Sequence, residues 1–225
     1  MDAKQRVGEA AAKLVGDGQC VGLGTGSTAK YFIEALAHRE KEEKLLLTCV
    51  STSNASEALA KSLGLKTVPF ARVQGIDFAA DGADKIDLQL NLIKGMGGAL
   101  VREKIIDYRA KEFVVIADEG KLCKRLFGVV PVEVIPMAAN AACKELLGIG
   151  AQEALVRMQE GREFVTDNSN WIVHARFREI KNPKKLEMEI NEIAGVVDNG
   201  IFTKNAKMAI VGNENGARVI KPVRG

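Results

Sequence analysis

Residues 113–118 read Phe-Val-Val-Ile-Ala-Asp, five apolar residues in a row, three of them β-branched, closed by an acid. The run is too short for a buried helix and lacks the apolar–polar alternation of a strand wetted on one face. It predicts a strand covered on both faces, which needs parallel neighbours with helices above and below. The preceding sequence supplies them. Val7, Ala10, Ala11, Leu14 and Val15 recur at helical spacing within residues 3–15, and residues 19–23 (QCVGL) form a short apolar strand. A helix from Thr28 to Arg39 would turn Phe32, Ala35 and Leu36 inward, and Leu45–Val50 reads as the next strand. Ser53 or Asn54 can cap a helix running to Leu63, which Gly64 would stop. Strands at 66–69 and 76–80 and a helix over 99–110 complete a βαβα order. The expectation is an α/β fold, a mostly parallel sheet with helices on both faces. Sites in such sheets gather at the carboxyl ends of strands, so the loops after residues 23, 80 and 117 come first.

The pattern changes near residue 128. VVPVEVIP sets two prolines around a strand; a helix over 137–147 and strands near 153–158, 163–166 and 171–177 follow. Pro183 opens another helix, and GVVDNGIF reads as a strand with a turn. That order is the one of a ferredoxin-like α+β unit. Residues 207–212 (KMAIVG) read as a buried strand able to rejoin the first sheet. The expected division is an α/β catalytic domain, 1–127 with 203–225, and a smaller inserted α+β domain, 128–202, carrying oligomer contacts.

Composition removes several classes of function. Of 225 residues 47% are hydrophobic and the net charge is only +3, which excludes disorder as the main state. The 32 basic and 29 acidic residues are scattered, giving no electrostatic case for nucleic acid. His38 and His174 stand far apart, without a second His at ligand spacing. Cys20, Cys49, Cys123 and Cys143 form no CxxC pair and read as buried reduced thiols of a cytoplasmic protein. No stretch approaches the ~20 apolar residues of a membrane span, and the charged N-terminus does not read as a signal peptide.

Three loops carry candidate chemistry. GLGTGSTA (22–29) joins a strand to a helix; its glycines let amides approach an anion, and Thr25, Ser27 and Thr28 add hydroxyls. The third glycine of a dinucleotide fingerprint and the lysine of a P-loop are both missing, so a phosphate monoester fits better than NAD or ATP. A plain capped turn would look the same. DGADKID (81–87) places Asp81 and Asp84 around a Gly-Ala pair. They could exchange protons with sugar hydroxyls, one pKa raised by repulsion, bind a divalent cation, or simply form a solvated turn. In KGMGGALVREK (94–104), Gly95, Gly97 and Gly98 lead into a helix as a possible nest for an oxyanion, with Lys94 beside it. Residues 99, 103, 106 and 110 would share a stripe reading Ala, Glu, Ile, Ala. Glu103 on that stripe is costly unless exposed, paired or used; partial desolvation would suit it as a general base.

At these residues the chain resembles the type A ribose-5-phosphate isomerase family. GLGTGSTA, DGAD, KGMGGAL with REK, VPVEVIPMA (130–138), TDNSN (166–170) and GVVDNGIF (195–202) match in the family's order through nearly the whole chain. The resemblance implies interconversion of D-ribose 5-phosphate and D-ribulose 5-phosphate in the pentose phosphate pathway, without metal or organic cofactor. It also implies a homodimer or dimer of dimers. Carried over position by position, it makes Glu103 the base moving a proton between C1 and C2, and Asp81 a helper in ring opening. Asp84 and Lys94 would hold the sugar hydroxyls and the enediolate charge. Thr25, Gly26, Ser27, Thr28, Gly82, Ala83, Gly95, Met96 and Gly97 would line the substrate, with Lys121 on its phosphate and Lys4 reaching the same end. Three positions depart from the pattern. Lys85 stands where Glu is usual and is expected to point outward, Met96 replaces a frequent Gly so that only its amide could serve, and Asn199 replaces His or Thr. A sugar-phosphate sensor on a related scaffold, or a CoA-type transferase with a Glu nucleophile, are the competing classes.

Overall fold

The structure, a computed structural model, describes residues 2–223. In chain order the first elements are α1 (Ala3–Ala12), β1 (Cys20–Leu23), α2 (Ser27–Glu43), β2 (Thr48–Ser51), α3 (Asn54–Ser62) and β3 (Ile76–Gly82). Two short strands, β4 (Lys85–Ile86) and β5 (Leu92–Ile93), precede α4 (Leu100–Asp107) and β6 (Ala110–Asp118). Then come β7 (Gly128–Val134), α5 (Ala139–Gly148), β8 (Glu153–Val156), β9 (Met158–Gln159), β10 (Arg162–Glu163) and β11 (Trp171–Phe177). The chain closes with α6 (Pro183–Asn191), β12 (Val196–Asn199), β13 (Ile201–Phe202), β14 (Ala206–Asn213) and β15 (Gly216–Ile220).

These elements form two compact units. One runs through Ala83, takes in Arg102–Lys121 and resumes at Lys204; the other holds Asp84–Val101 and Leu122–Thr203. The first is built on a six-stranded sheet of order β15-β14-β6-β3-β1-β2, parallel except for β15. Strand pleating explains its two faces. Val21, Leu23, Phe78, Ala80, Val114 and Ile116 pack into one core with Val7 and Ala11 of α1 and Phe32, Ile33 and Leu36 of α2. Gly22 and Ala79 point the other way. A Cβ on Gly22 would lie 2.7 Å from the Ile106 side chain, so α4 covers this second face and needs glycine beneath it. As expected of a strand covered on both faces, Phe113 through Ala117 are all buried.

The second unit contains the order β7-α5-β8-β9-β10-β11-α6-β12, with β9 and β10 as a small hairpin. Its antiparallel sheet has the order β12-β7-β11-β8, the ferredoxin-like arrangement. Val130, Val132, Val134, Val173 and Ala175 face Ala142 and Leu146 of α5 and Leu186 and Ile190 of α6. A three-stranded sheet, β13-β5-β4, belongs to the same unit. For that reason the compact units do not follow the expected 128–202 boundary. Ile93 pairs with Ile201 and Leu122 bridges Ile86, so residues 84–101 and 122–127 go with the smaller sheets.

Three local expectations also differ. Residues 66–69 make only a bridge at Thr67 against Cys49 before Pro69. The helix expected over 99–110 stops at Asp107, and Ala110 opens β6. GVVDNGIF is not one strand with a turn, because β12 and β13 belong to different sheets.

Candidate active site

In the first unit, β1 delivers the glycine-rich loop to the N-terminus of α2. Gly24 lies against the Asp81 carboxylate and the Ala80 carbonyl, where no Cβ fits. Gly26, at φ +110°, caps α2 in a conformation that favours glycine. Asp81, at 0% exposure at the end of β3, ties the loop down: its Oδ1 accepts from the amides of Thr25 (2.9 Å) and Gly82 (2.6 Å). The Thr25 hydroxyl is engaged with Thr52 (2.7 Å), Ser53 (2.8 Å) and Ser56 (3.0 Å), and Ser56 Oγ donates to the Gly24 carbonyl at 2.7 Å. Thr25 therefore braces the loop with its side chain. Thr52 and Ser56, which complete the brace, escaped the sequence reading; the only signal was the hydroxyl-rich run after β2.

Ser27 stays exposed in the first turn of α2, which contains no acid, while Thr28 is buried. Lys4 Nζ donates to Ser27 Oγ at 3.0 Å. The structure thus brings Lys4 to the glycine-rich loop, where a cation beside the first amides of a helix favours an anionic group. Lys121, half-buried, sits in the single-turn helix Glu119–Lys121 at the carboxyl end of β6, and its pairing with β3 places it at the same end of the sheet.

Glu103 is 3% exposed in the first turn of α4, and Ala99, Ile106 and Ala110 are buried with it. Of the four positions expected to share a helical stripe only Glu103 and Ile106 lie on α4, Ala99 preceding it and Ala110 opening β6, and Asp107, one turn beyond Glu103, is buried as well. Arg102 Nη1 donates to Asn54 Oδ1 at 2.8 Å, fixing α4 to the start of α3. A surface glutamate between two solvated cations does not describe this site, since Lys104 is buried as well.

The second unit holds the remaining candidates. Lys94, directly after β5, is 1% exposed, with Nζ 5.4 Å from the Phe202 ring centroid. Its amide donates to the Gly200 carbonyl at 2.8 Å, and the Gly200 amide donates to Pro131 at 2.7 Å. Gly200 has Lys94 and Pro131 too close for any side chain. Asn199 is buried and bonded throughout: Oδ1 accepts from Ile201 N (2.9 Å), and Nδ2 donates to Glu187 O (3.0 Å) and Asn191 Oδ1 (2.8 Å). Lys85 is half-buried, its ammonium 4.4 Å from the Phe127 ring centroid.

Gly95 (φ +97°) and Gly98 (φ +87°) shape the turn after Lys94. Gly98 N closes it onto Gly95 O at 2.9 Å, and Met96 N donates to Asp84 Oδ2 at 3.2 Å. The Met96 amide, the group expected to serve a substrate there, is held by Asp84 in this structure. The candidate oxyanion donors narrow to the amides of Gly95 and Gly97, which these turn bonds leave unused. Asp81 and Asp84 also part company: Asp81 binds first-unit amides, whereas Asp84 opens the second unit, its amide donating to Ile93 O at 2.7 Å. Among the described residues no group of three or more His, Cys, Asp or Glu side chains is arranged to hold a metal ion.

The profile of ribose 5-phosphate isomerase A (phosphoriboisomerase A) matches residues 48–216. The ribose-5-phosphate isomerase A of Methanothermobacter thermautotrophicus is 43% identical over 98% of this chain and 98% of its own length. That of Trichormus variabilis is 44% identical over 93% and 90%. Among solved structures, ribose 5-phosphate isomerase A from Methanocaldococcus jannaschii superposes with a TM-score of 0.92 at 43% identity, covering 98% of each chain. A D-ribose-5-phosphate isomerase in complex with phospho-erythronic acid reaches 0.94 at 40% identity, covering 98% of this chain and 100% of that one. With its glycine-rich loop, its buried Glu103 and both of its sheets falling inside matches of this extent, the chain belongs to the ribose-5-phosphate isomerase A family.

Proposed function

We propose that this chain interconverts D-ribose 5-phosphate and D-ribulose 5-phosphate through an enediolate, with Glu103 as the base. Family membership over nearly the full chain supports the aldose–ketose isomerase activity. The observation that carries the mechanism is a carboxylate only 3% exposed, in the first turn of a helix whose Leu100 and Ile106 are buried with it. A carboxylate withdrawn from water is a stronger base toward carbon than a hydrated one.

In the forward direction Glu103 removes the C2 proton of the open-chain aldose, the C1 carbonyl oxygen takes up the displaced charge, and a proton passes from O2 to O1. Glu103 then returns its proton to C1, leaving the C2 ketone. Lys94 and the amides of Gly95 and Gly97 oppose the enediolate charge, a contribution of several kcal/mol at comparable sites. Asp84 holds a sugar hydroxyl as well as the turn, and Asp81 assists ring opening. The phosphate lies at residues 26–28 with Lys4 and Lys121, fixing the register of the reacting carbons. Phospho-erythronic acid, whose carboxylate imitates the enediolate, is the expected inhibitor.

Glu103→Gln keeps the shape and removes the base. Turnover should fall by at least ~100-fold, the scale of general-base loss, while substrate affinity changes little. Near-normal turnover would refute the assignment. Exchange of substrate carbon-bound hydrogen with deuterated solvent, without CoA, separates this reaction from a sensor or a CoA transferase.

We also read the protein as a homodimer or dimer of dimers, supported by the exposed Met137, Leu155, Met158 and Val165 of the second unit. Four free thiols fit a reducing, cytoplasmic setting. No described helix is long and apolar enough to cross a membrane.

A further inference from the structure

Arg157 follows β8, sixty-one residues beyond Met96 of the Gly95–Gly98 turn, and its Nη1 donates to the Met96 carbonyl at 2.9 Å. Its guanidinium lies 3.8 Å from the centroid of Phe164. The two are joined by their backbones as well, since Phe164 N donates to Arg157 O at 2.9 Å and Arg157 N to Ile172 O at 2.7 Å. Phe164 also occupies the space in which Gly98 would carry a Cβ. Arg157 makes no ion pair among the described residues, and burial holds its pKa below the ordinary guanidinium value. A half-buried cation whose guanidinium donates to one backbone carbonyl is an expensive way to hold an ordinary turn.

The peptide between Met96 and Gly97 gives the arrangement its meaning. A trans peptide is planar, so its N–H points opposite to its C=O. Fixing the Met96 carbonyl on Arg157 therefore fixes the direction of the Gly97 N–H on the far side of the same plane. Asp84, holding Met96 N, restrains the preceding plane. A charged donor on the carbonyl also polarises the amide and makes the Gly97 N–H a stronger donor. We propose that Arg157, seated on Phe164, is a positioning residue that aims and polarises the Gly97 amide toward the enediolate oxygen. The inference rests on the proposed use of the Gly95 and Gly97 amides in the isomerase reaction.

The test compares the parent, Arg157→Met, Arg157→Lys and Phe164→Leu. Arg157→Met keeps an apolar stem over Phe164 and removes the donors. Its kcat should fall about 10- to 100-fold, less than the ~10²–10³ for deleting a direct oxyanion donor, with KM changed less than about threefold. Affinity for phospho-erythronic acid should fall in parallel, while inhibition by inorganic phosphate stays put. Arg157→Lys should recover at least about fivefold in kcat through its remaining donor. Arg157→Met with kcat within twofold of the parent, or with phosphate affinity lost equally, overturns the proposal. Should Arg157→Met fail to fold, Phe164→Leu decides, since it unseats the guanidinium: unchanged kcat and unchanged phospho-erythronic acid affinity in that variant overturn the proposal. The underlying use of the amides is judged on the parent alone. If the parent binds phospho-erythronic acid no tighter than inorganic phosphate, that reading fails whatever the Arg157 variants do.

Discussion

Asp81 and Asp84 stand three residues apart in the chain and do different things. Asp81 spends one oxygen on two backbone amides, charge-assisted bonds that hold the glycine loop to β3. Asp84 accepts from the turn after Lys94. The spacing announced two carboxylates but not this division, because their bonding partners lie elsewhere in the chain. The thiols show the same limit: only Cys49 is fully buried, and Cys20, Cys123 and Cys143 are half-buried. Burial, with smaller contributions from Glu40 and Cys20, pushes the Cys49 thiol from 9.0 up to about 12. The folded state thus holds this proton more tightly than the unfolded chain, so its contribution is fully present below pH 9.0 and is lost as pH rises toward about 12. Between pH 8 and 10.5 the parent should lose about 1–2 kcal/mol more stability than Cys49→Ala, read from urea unfolding at both values. An equal loss in the two proteins would contradict this.

At the scale of elements, β2 hands its chain to α3 through Ser53, whose Oγ accepts from Ser56 N at 3.1 Å. The sequence offered Ser53 or Asn54 as the cap; extended backbone at Ser53 decides for it. Ser53→Ala should cost about 1 kcal/mol as a lost cap, or roughly 2–4 °C in Tm for a chain of this length. Because Ser53 Oγ also accepts from the Thr25 hydroxyl, phosphate inhibition should weaken in the same variant. An unchanged Tm would sink the capping assignment. Residues 196–202 show what periodicity misses. They read as a strand with a turn, yet the chain leaves one sheet at Asn199 and enters another at Ile201. Gly200 permits the switch by letting the Lys94 and Pro131 backbones close on it.

For the whole molecule, the chain leaves the parallel sheet after β3, returns for α4 and β6, leaves again, and comes back as β14 beside β6. The second unit covers one face of its antiparallel sheet with α5 and α6. Strand register puts Leu155 of β8 beside His174 and Pro131, away from the residues that face those helices, and Leu155 remains exposed. Met137, at 93% exposure, is a further apolar side chain left in water. Light scattering at micromolar concentration should give two or four chain masses, and Leu155→Glu should shift the distribution toward one. A parent at one chain mass would remove the proposed assembly.

The sequence by itself determined the parallel sheet, the ferredoxin-like order and the three loops. Each of these is written in neighbouring residues: an apolar run such as 113–117, a glycine between a strand and a helix, a carboxylate at a helical spacing from alanine and isoleucine. Local order suffices because secondary structure is set by short-range periodicity and by which residues tolerate which backbone angles. Only the tertiary structure decided that Thr25 braces its loop, that Asp84 occupies the Met96 amide, that Gly200 supports Lys94, and that Arg157 grips the Met96 carbonyl. Those are bonds between groups remote in sequence, and hydrogen bonding is directional. Whether an amide is committed or available depends on where a distant partner ends up, which no spacing along the chain records.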